Sequence, residues 1–170
     1  MRQTRISREE IPLALNSIRA RIDPGSWSAR AFERVSDSAA FFDAEYDTAA
    51  HRKVALDLAR RLRIPTLDKI PAEGFSWDGS VIWARSESCV LIHEIAHWQV
   101  APPARRHCVD FGLGAGPETG RVEEANGARC VSDAVKEREE LLASLLGIFW
   151  EAALGQPAIH AFIEQNWLEA

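Results

Sequence analysis

Apolar residues recur at Ile11, Leu15, Ile18 and Ile22, a spacing that predicts a helix over residues 7–22, with Ser7 and Glu10 as a capping box. Asp23-Pro24-Gly25-Ser26 ends it. Residues 27–46 carry no clear period; Phe41-Phe42 is their expected buried anchor. A second amphipathic helix is predicted over 47–62, with Val54, Leu58 and Leu62 on one stripe and Arg52, Lys53, Arg60, Arg61 and Arg63 as a solvated face or a docking patch for an acidic partner. Pro65 stops it. Residues 67–74 read as a loop, and 75–83 as two short strands around Asp78-Gly79. Ser88 to Trp98 is an almost unbroken apolar run, read as a buried helix with Ser86 as N-cap and Pro102-Pro103 as terminator. Residues 105–120 form a long loop holding four of the ten glycines. Helix resumes near Val122 and is strongest over 137–154, where Leu141, Leu142, Leu145, Leu146, Phe149 and Trp150 define a core face. Gly155-Gln156-Pro157 breaks it, and a last helix is expected over 157–168. The pattern predicts an α+β fold, mostly helical, with a small β element beside the buried central helix.

That central helix carries His93-Glu94-Ile95-Ala96-His97. Histidines four apart share one helix face and can reach one divalent metal, with Glu94 beside whatever the metal binds. Burying two imidazoles and a carboxylate is costly unless something pairs with them. The bland alternative is two core histidines bonded to backbone, with Glu94 in an ion pair. A working site needs a third ligand, and His51, His107 and His160 are poorly placed for it. A carboxylate of the later long helix fits better. Glu139, one turn before Leu142-Ala143, borders the predicted core stripe, while Glu137, Glu140, Glu123 and Glu124 remain open alternatives. The expected site is therefore His93, His97 and Glu139 on the metal, with Glu94 catalytic.

Composition narrows the function classes. At 170 residues and 46 % hydrophobic, one domain spanning 1–170 is expected, with 75–170 as its metal-site core and 1–65 as a helical part. A net charge of −5 argues against nucleic acid or an anionic membrane as partner. No signal peptide precedes Met1-Arg2-Gln3-Thr4-Arg5, and no run is long enough to span a bilayer, so a cytoplasmic location is expected. Cys89, Cys108 and Cys130 are odd in number and lack a C-x-x-C, which fits reduced thiols; Cys89 reads as a small core residue.

The strand Val81-Ile82-Trp83-Ala84, the string His93-Glu94-Ile95-Ala96-His97-Trp98, then Ala104-Arg105-Arg106 and Val109-Asp110-Phe111-Gly112 together resemble the bacterial elongation factor P hydroxylase family. Ala152-Ala153-Leu154-Gly155-Gln156-Pro157 resembles the helix ending of that family, and counting back from it places the family's carboxylate near Glu139. The first 60 or so residues show no match. The resemblance implies a zincin-like, metal-dependent oxygenase. It further implies Fe(II) held by His93, His97 and a carboxylate, O₂ as co-substrate, and elongation factor P or a similar modified protein as substrate. The chain departs from the family after Asp-Phe-Gly, where Leu113-Gly114-Ala115-Gly116 replaces aromatics and points to a more open or mobile site. Arg105, Arg106 and Asp110 read as an Arg–carboxylate cluster stapling the loop to the metal helix, or as a site for an acidic substrate.

Three function classes follow. The first is a non-haem iron hydroxylase of a protein or peptide side chain. The second is a zinc hydrolase, most simply a small metallopeptidase with Glu94 as general base. The third is a catalytically silent metal-binding module. No Gly-x-Ser-x-Gly is present, Gly112-Leu113-Gly114-Ala115-Gly116 opens no helix as a phosphate loop would, and no 2-oxoglutarate clamp is recognisable.

Overall fold

The computed structural model describes residues 5–164. In chain order its elements are α1 (Ile11–Arg19), α2 (Trp27–Asp37), α3 (Ala49–Arg61), β1 (Thr66–Leu67), β2 (Ile82–Trp83), α4 (Ser88–Val100), α5 (Val122–Gly127), α6 (Asp133–Ala153) and α7 (Ile159–Glu164). The fold is thus α+β and mostly helical, with one two-stranded parallel sheet. The end of the last predicted helix, to Leu168, lies outside the described residues. None of the described helices is long and apolar enough to cross a membrane. The chain divides into two compact units, Met1–Tyr46 with Ile148–Ala170, and Asp47–Gly147.

In the first unit, Ile11, Ala14, Leu15, Phe32, Val35, Ile159, Phe162 and Ile163 form the buried cluster, with Ile18, Ile22 and Phe42 packed on its margin. The Ser7–Glu10 box is formed: the Ser7 N–H donates to the Glu10 carboxylate at 3.1 Å. The aperiodic stretch resolves into α2, whose N-cap Ser26 accepts from the Ala29 N–H at 3.0 Å, and a 3₁₀ turn over Ser38–Phe41. Phe42 packs as expected, but Phe41 is 59 % exposed, because adjacent residues of a helical turn point about 100° apart. Buried Glu151 has its carboxyl pushed up to about 8 by desolvation, so it is neutral at pH 7.

The second unit is built around α4. Its N-terminus is capped from a distance, not by Ser86: the Asp47 carboxylate accepts from the Ser88 N–H at 2.9 Å and the Ser88 hydroxyl at 2.6 Å. Helix α3 packs on α4. Its buried positions are Ala55 and Ala59, with Val54, Leu58 and Leu62 only partly covered, since two alanines let the backbones approach closely. The basic face of α3 is also not wholly solvated. The Arg52 guanidinium donates to the Ala84 and Ser86 carbonyls and so ties α3 to the entry of α4. Strand β2 pairs in parallel with β1, Thr66 opposite Ile82 and Leu67 opposite Trp83, so part of the expected loop is a strand. The Asp-Gly turn forms. Asp78 accepts from the Ser80 and Val81 N–H groups, both at 2.9 Å, and an isolated antiparallel bridge joins Trp77 to Ile82.

Candidate metal centre

Helix α4 ends at Val100 before the Pro102-Pro103 pair, and it buries Leu91, Ile92, Ile95 and Ala96 completely. With those side chains in the core, His93 and His97 share one face, one turn apart. Their Nε2 atoms are 2.9 Å apart. Glu140 on α6 brings Oε2 to 3.1 Å from His97 Nε2 and 3.7 Å from His93 Nε2. Among the described residues these three offer one ligand atom each, all within 4.8 Å of one another.

The donor set fits a divalent ion. Ligand atoms about 2.1 Å from one metal sit roughly 3.0–3.4 Å from each other, depending on the angle between them, close to the spacing seen here. His97 Nε2 can carry at most one proton, yet it faces both His93 Nε2 and the Glu140 carboxylate. A cation satisfies all three atoms at once; a single hydrogen cannot.

Electrostatics agree with this reading. Burial and the neighbouring His97 push His93 down, favouring the neutral ligand form. Burial opposes charge on His97 and Glu140 as well. The hydrogen bonds of Glu140 to His93 and His97 outweigh it, holding the Glu140 carboxyl well below the usual carboxylate range, and the Glu140 bond raises His97. Glu94, next to His93, is driven up to about 8 by burial, with Asp110, Glu140 and Glu118 adding to the effect and His97 opposing it. A bound cation would draw it down.

Glu139, the carboxylate expected from the sequence, is not part of this group. Its Oε1 accepts from the Arg105 guanidinium, and both side chains are largely buried. The reason lies in α6. The face that meets α4 is lined by small residues at three, four and seven positions beyond Glu140. These are Ala143, Ser144 and Gly147, all buried, and a Cβ on Gly147 would stand 3.6 Å from His93 Cα. The leucine stripe does not mark the buried face, since Leu142 and Leu145 are 45 % and 37 % exposed. The small-residue track was the signal that selects Glu140 over its neighbour. Glu137, Glu123 and Glu124 are outside the group too. His51 lies in the first turn of α3, its N–H donating to the hydroxyl of the N-cap Thr48 at 3.1 Å, and His160 stacks on Phe42 and Tyr46. His107 is exposed. Glu140→Gln is expected to weaken divalent-metal binding by tens of fold or more. Glu139→Gln should leave affinity within a few fold and lower the thermal midpoint, because it leaves the Arg105 charge half-buried and unpaired. Metal titration and thermal melts of both variants separate the two roles.

The Asp-Phe-Gly segment holds the His97 ring. Phe111 stacks on His97 with centroids 5.7 Å apart and on Trp77 at 5.3 Å, making a three-ring layer. Reaching that position requires left-handed backbone at Asp110 (φ 42°) and Phe111 (φ 54°), followed by Gly112 at φ 71°. Such conformations cost about 1–2 kcal/mol per non-glycine residue. The cost is offset by bonds around Asp110. Its N–H donates to the Trp77 carbonyl at 2.9 Å, and its carboxylate accepts from the Trp77 N–H at 3.2 Å and the Thr119 hydroxyl at 2.7 Å. Arg105 donates to the Phe111 carbonyl at 2.7 Å. The expected Arg–carboxylate cluster is therefore differently wired. Arg105 joins the turn to α6, and Arg106 stacks on Trp98 at 3.8 Å. The glycine-rich stretch beyond the turn is pinned rather than loose. Leu113 is buried, the Ala115 N–H donates to the Asn126 side chain at 3.0 Å, and Lys136 donates to the Ala115 carbonyl at 3.0 Å.

No curated protein and no solved structure gives a significant match to the chain. One family model does match, and it ends before α6, so Glu140 rests on geometry alone. Over residues 68–130, which carry both histidines, Glu94, Arg105 and the Asp-Phe-Gly turn, the chain matches the family Elongation factor P hydroxylase.

Proposed function

We propose that this protein is a metal-dependent hydroxylase of a protein side chain, with elongation factor P or a similarly modified protein as substrate. The observation that carries the reading is the meeting of His93, His97 and Glu140 at one point, two of them inside the segment that matches the hydroxylase family. Two imidazoles and one carboxylate are the ligand set of non-haem Fe(II) oxygenases, in which open coordination positions serve dioxygen and substrate. The same set holds Zn(II) in H-E-x-x-H hydrolases, so it is the match to the hydroxylase family that favours Fe(II) over Zn(II) on this zincin-like H-E-x-x-H helix. The protein's own residues do the rest. Phe111 fixes the plane of His97. Arg105 neutralises Glu139, which leaves Glu140 as the carboxylate turned to the histidines. Glu94 holds or passes a proton beside the metal ligands, with burial raising its affinity for that proton and a bound cation lowering it again.

The test is to load anaerobically purified protein with Fe(II) and to add O₂ and modified elongation factor P. A gain of one oxygen atom on the substrate's lysine-bearing peptide is expected. Peptide cleavage with Zn(II) and no oxygen gain would instead make the protein a hydrolase. Glu94→Gln should keep metal affinity within a few fold and lower turnover by about a hundredfold or more, the range of general acid–base contributions. Unchanged turnover in that variant would remove Glu94 from the chemistry.

A further inference from the structure

Behind the Asp-Phe-Gly turn lies a pair of thiols that the metal centre does not use. Cys108 opens the turn, and its carbonyl accepts from the Phe111 N–H at 3.1 Å. Cys130 joins the turn's other end, its N–H donating to the Gly112 carbonyl at 3.0 Å. Between them stands Gly112, at φ 71°, whose missing side chain lets the Cys130 sulfur come up against the turn. A Cβ built there would stand 2.5 Å from the Cys130 sulfur and 3.5 Å from Cys108 Cβ. The Cys130 thiol donates to the Gly112 carbonyl at 3.8 Å, and the two thiols are close enough to interact electrostatically. Both are free, Cys130 exposed and Cys108 partly so. A disulfide needs β-carbons about 4 Å apart, and the Cys130 sulfur and the Cys108 β-carbon lie against the same glycine.

We propose that Cys108 and Cys130 form an oxidisable dithiol, a modification site separate from the metal centre, at which a hydroperoxide closes a reversible disulfide. The exposed Cys130 thiolate attacks the peroxide O–O bond, giving a sulfenic acid and, with H₂O₂, one water. The Cys108 thiolate then displaces the sulfenic hydroxyl as a second water, and the S–S bond forms. Two thiols lose two electrons and two protons in all, and the peroxide is reduced to two waters. The Arg105 side chain lies against the same glycine, its Cδ 3.8 Å from the built Cβ. Burial and the neighbouring Cys130 push the Cys108 thiol up, with Arg105 opposing them, which suits Cys108 to the resolving rather than the attacking role. The bond would clamp the turn that presents Phe111 to His97. The proposal stands on this geometry whether or not the protein is a hydroxylase.

The test uses metal-free full-length protein, wild type and Cys89→Ser, treated with hydrogen peroxide. Thiols are counted, intact mass is measured, and peptides are mapped without reduction. The expected result is loss of two thiols in both proteins, a mass lower by two hydrogens, a peptide linking Cys108 to Cys130, and full reversal by dithiothreitol. Survival of the thiols would overturn it. So would oxygen added to Cys130 with no Cys108 link, or a link that forms only between chains. The wild-type map decides even where a cysteine variant folds poorly.

Discussion

Replacing His97 by Ala is expected to lower divalent-metal affinity by more than about a hundredfold, beyond the roughly ten- to hundredfold lost when a residue that only orients a metal ligand is changed. His97 is the ligand at the centre of the set: its Nε2 is 2.9 Å from His93 and 3.1 Å from Glu140. Removing it leaves two ligand atoms 3.7 Å apart and removes one of the two histidines whose hydrogen bonds hold the Glu140 carboxyl down. Titration with Co(II) as an air-stable surrogate reads the loss. The melting curve of the metal-free variant shows whether the fold persists. Wild-type affinity in a folded His97→Ala protein would mean that His93 and Glu140 hold the metal with some other group.

Phe111→Ala is expected to cost the metal-free protein about 3–5 kcal/mol of stability, the usual range for deleting a buried aromatic ring. Phe111 is 1 % exposed and lies between the His97 and Trp77 rings. Its loss opens a cavity beside the ligand and removes the side chain for which the left-handed turn exists, while the backbone cost at Asp110 and at position 111 remains. Denaturant unfolding of the apo protein measures the effect without interference from metal. A change below about 1 kcal/mol would show that the site collapses around the missing ring and that the layer does not fix His97.

What the sequence disclosed and what it hid follow from the range of the interactions. The H-E-x-x-H pair, the Ser7–Glu10 box, the Asp78-Gly79 turn and the proline stops are local, with every partner within a few residues. They emerge in the structure as the patterns predict. The third carboxylate is set instead by which face of α6 meets α4, a long-range choice. Leucines at 142 and 145 dominate the periodicity, although it is Gly147 that lies against His93, with Ala143 and Ser144 buried on the same face of α6. The cap of α4 failed for the same reason, since Asp47 reaches Ser88 across 41 residues. The conformation of Asp110 and Phe111 was invisible as well. Neither residue type announces positive φ, and only the ring layer and the bonds to Trp77 and Thr119 explain why the chain accepts it.

The central claim is that His93, His97 and Glu140 hold one divalent ion. The most direct measurement is elemental analysis of wild-type protein purified without oxygen, followed by metal titration of the chelated form. The account predicts one divalent ion per chain, iron by preference, restored at a single site after chelation and absent from His93→Ala and His97→Ala. A wild-type protein that carries no metal and takes up none on titration would contradict it, and would make the two histidines buried residues bonded to a carboxylate.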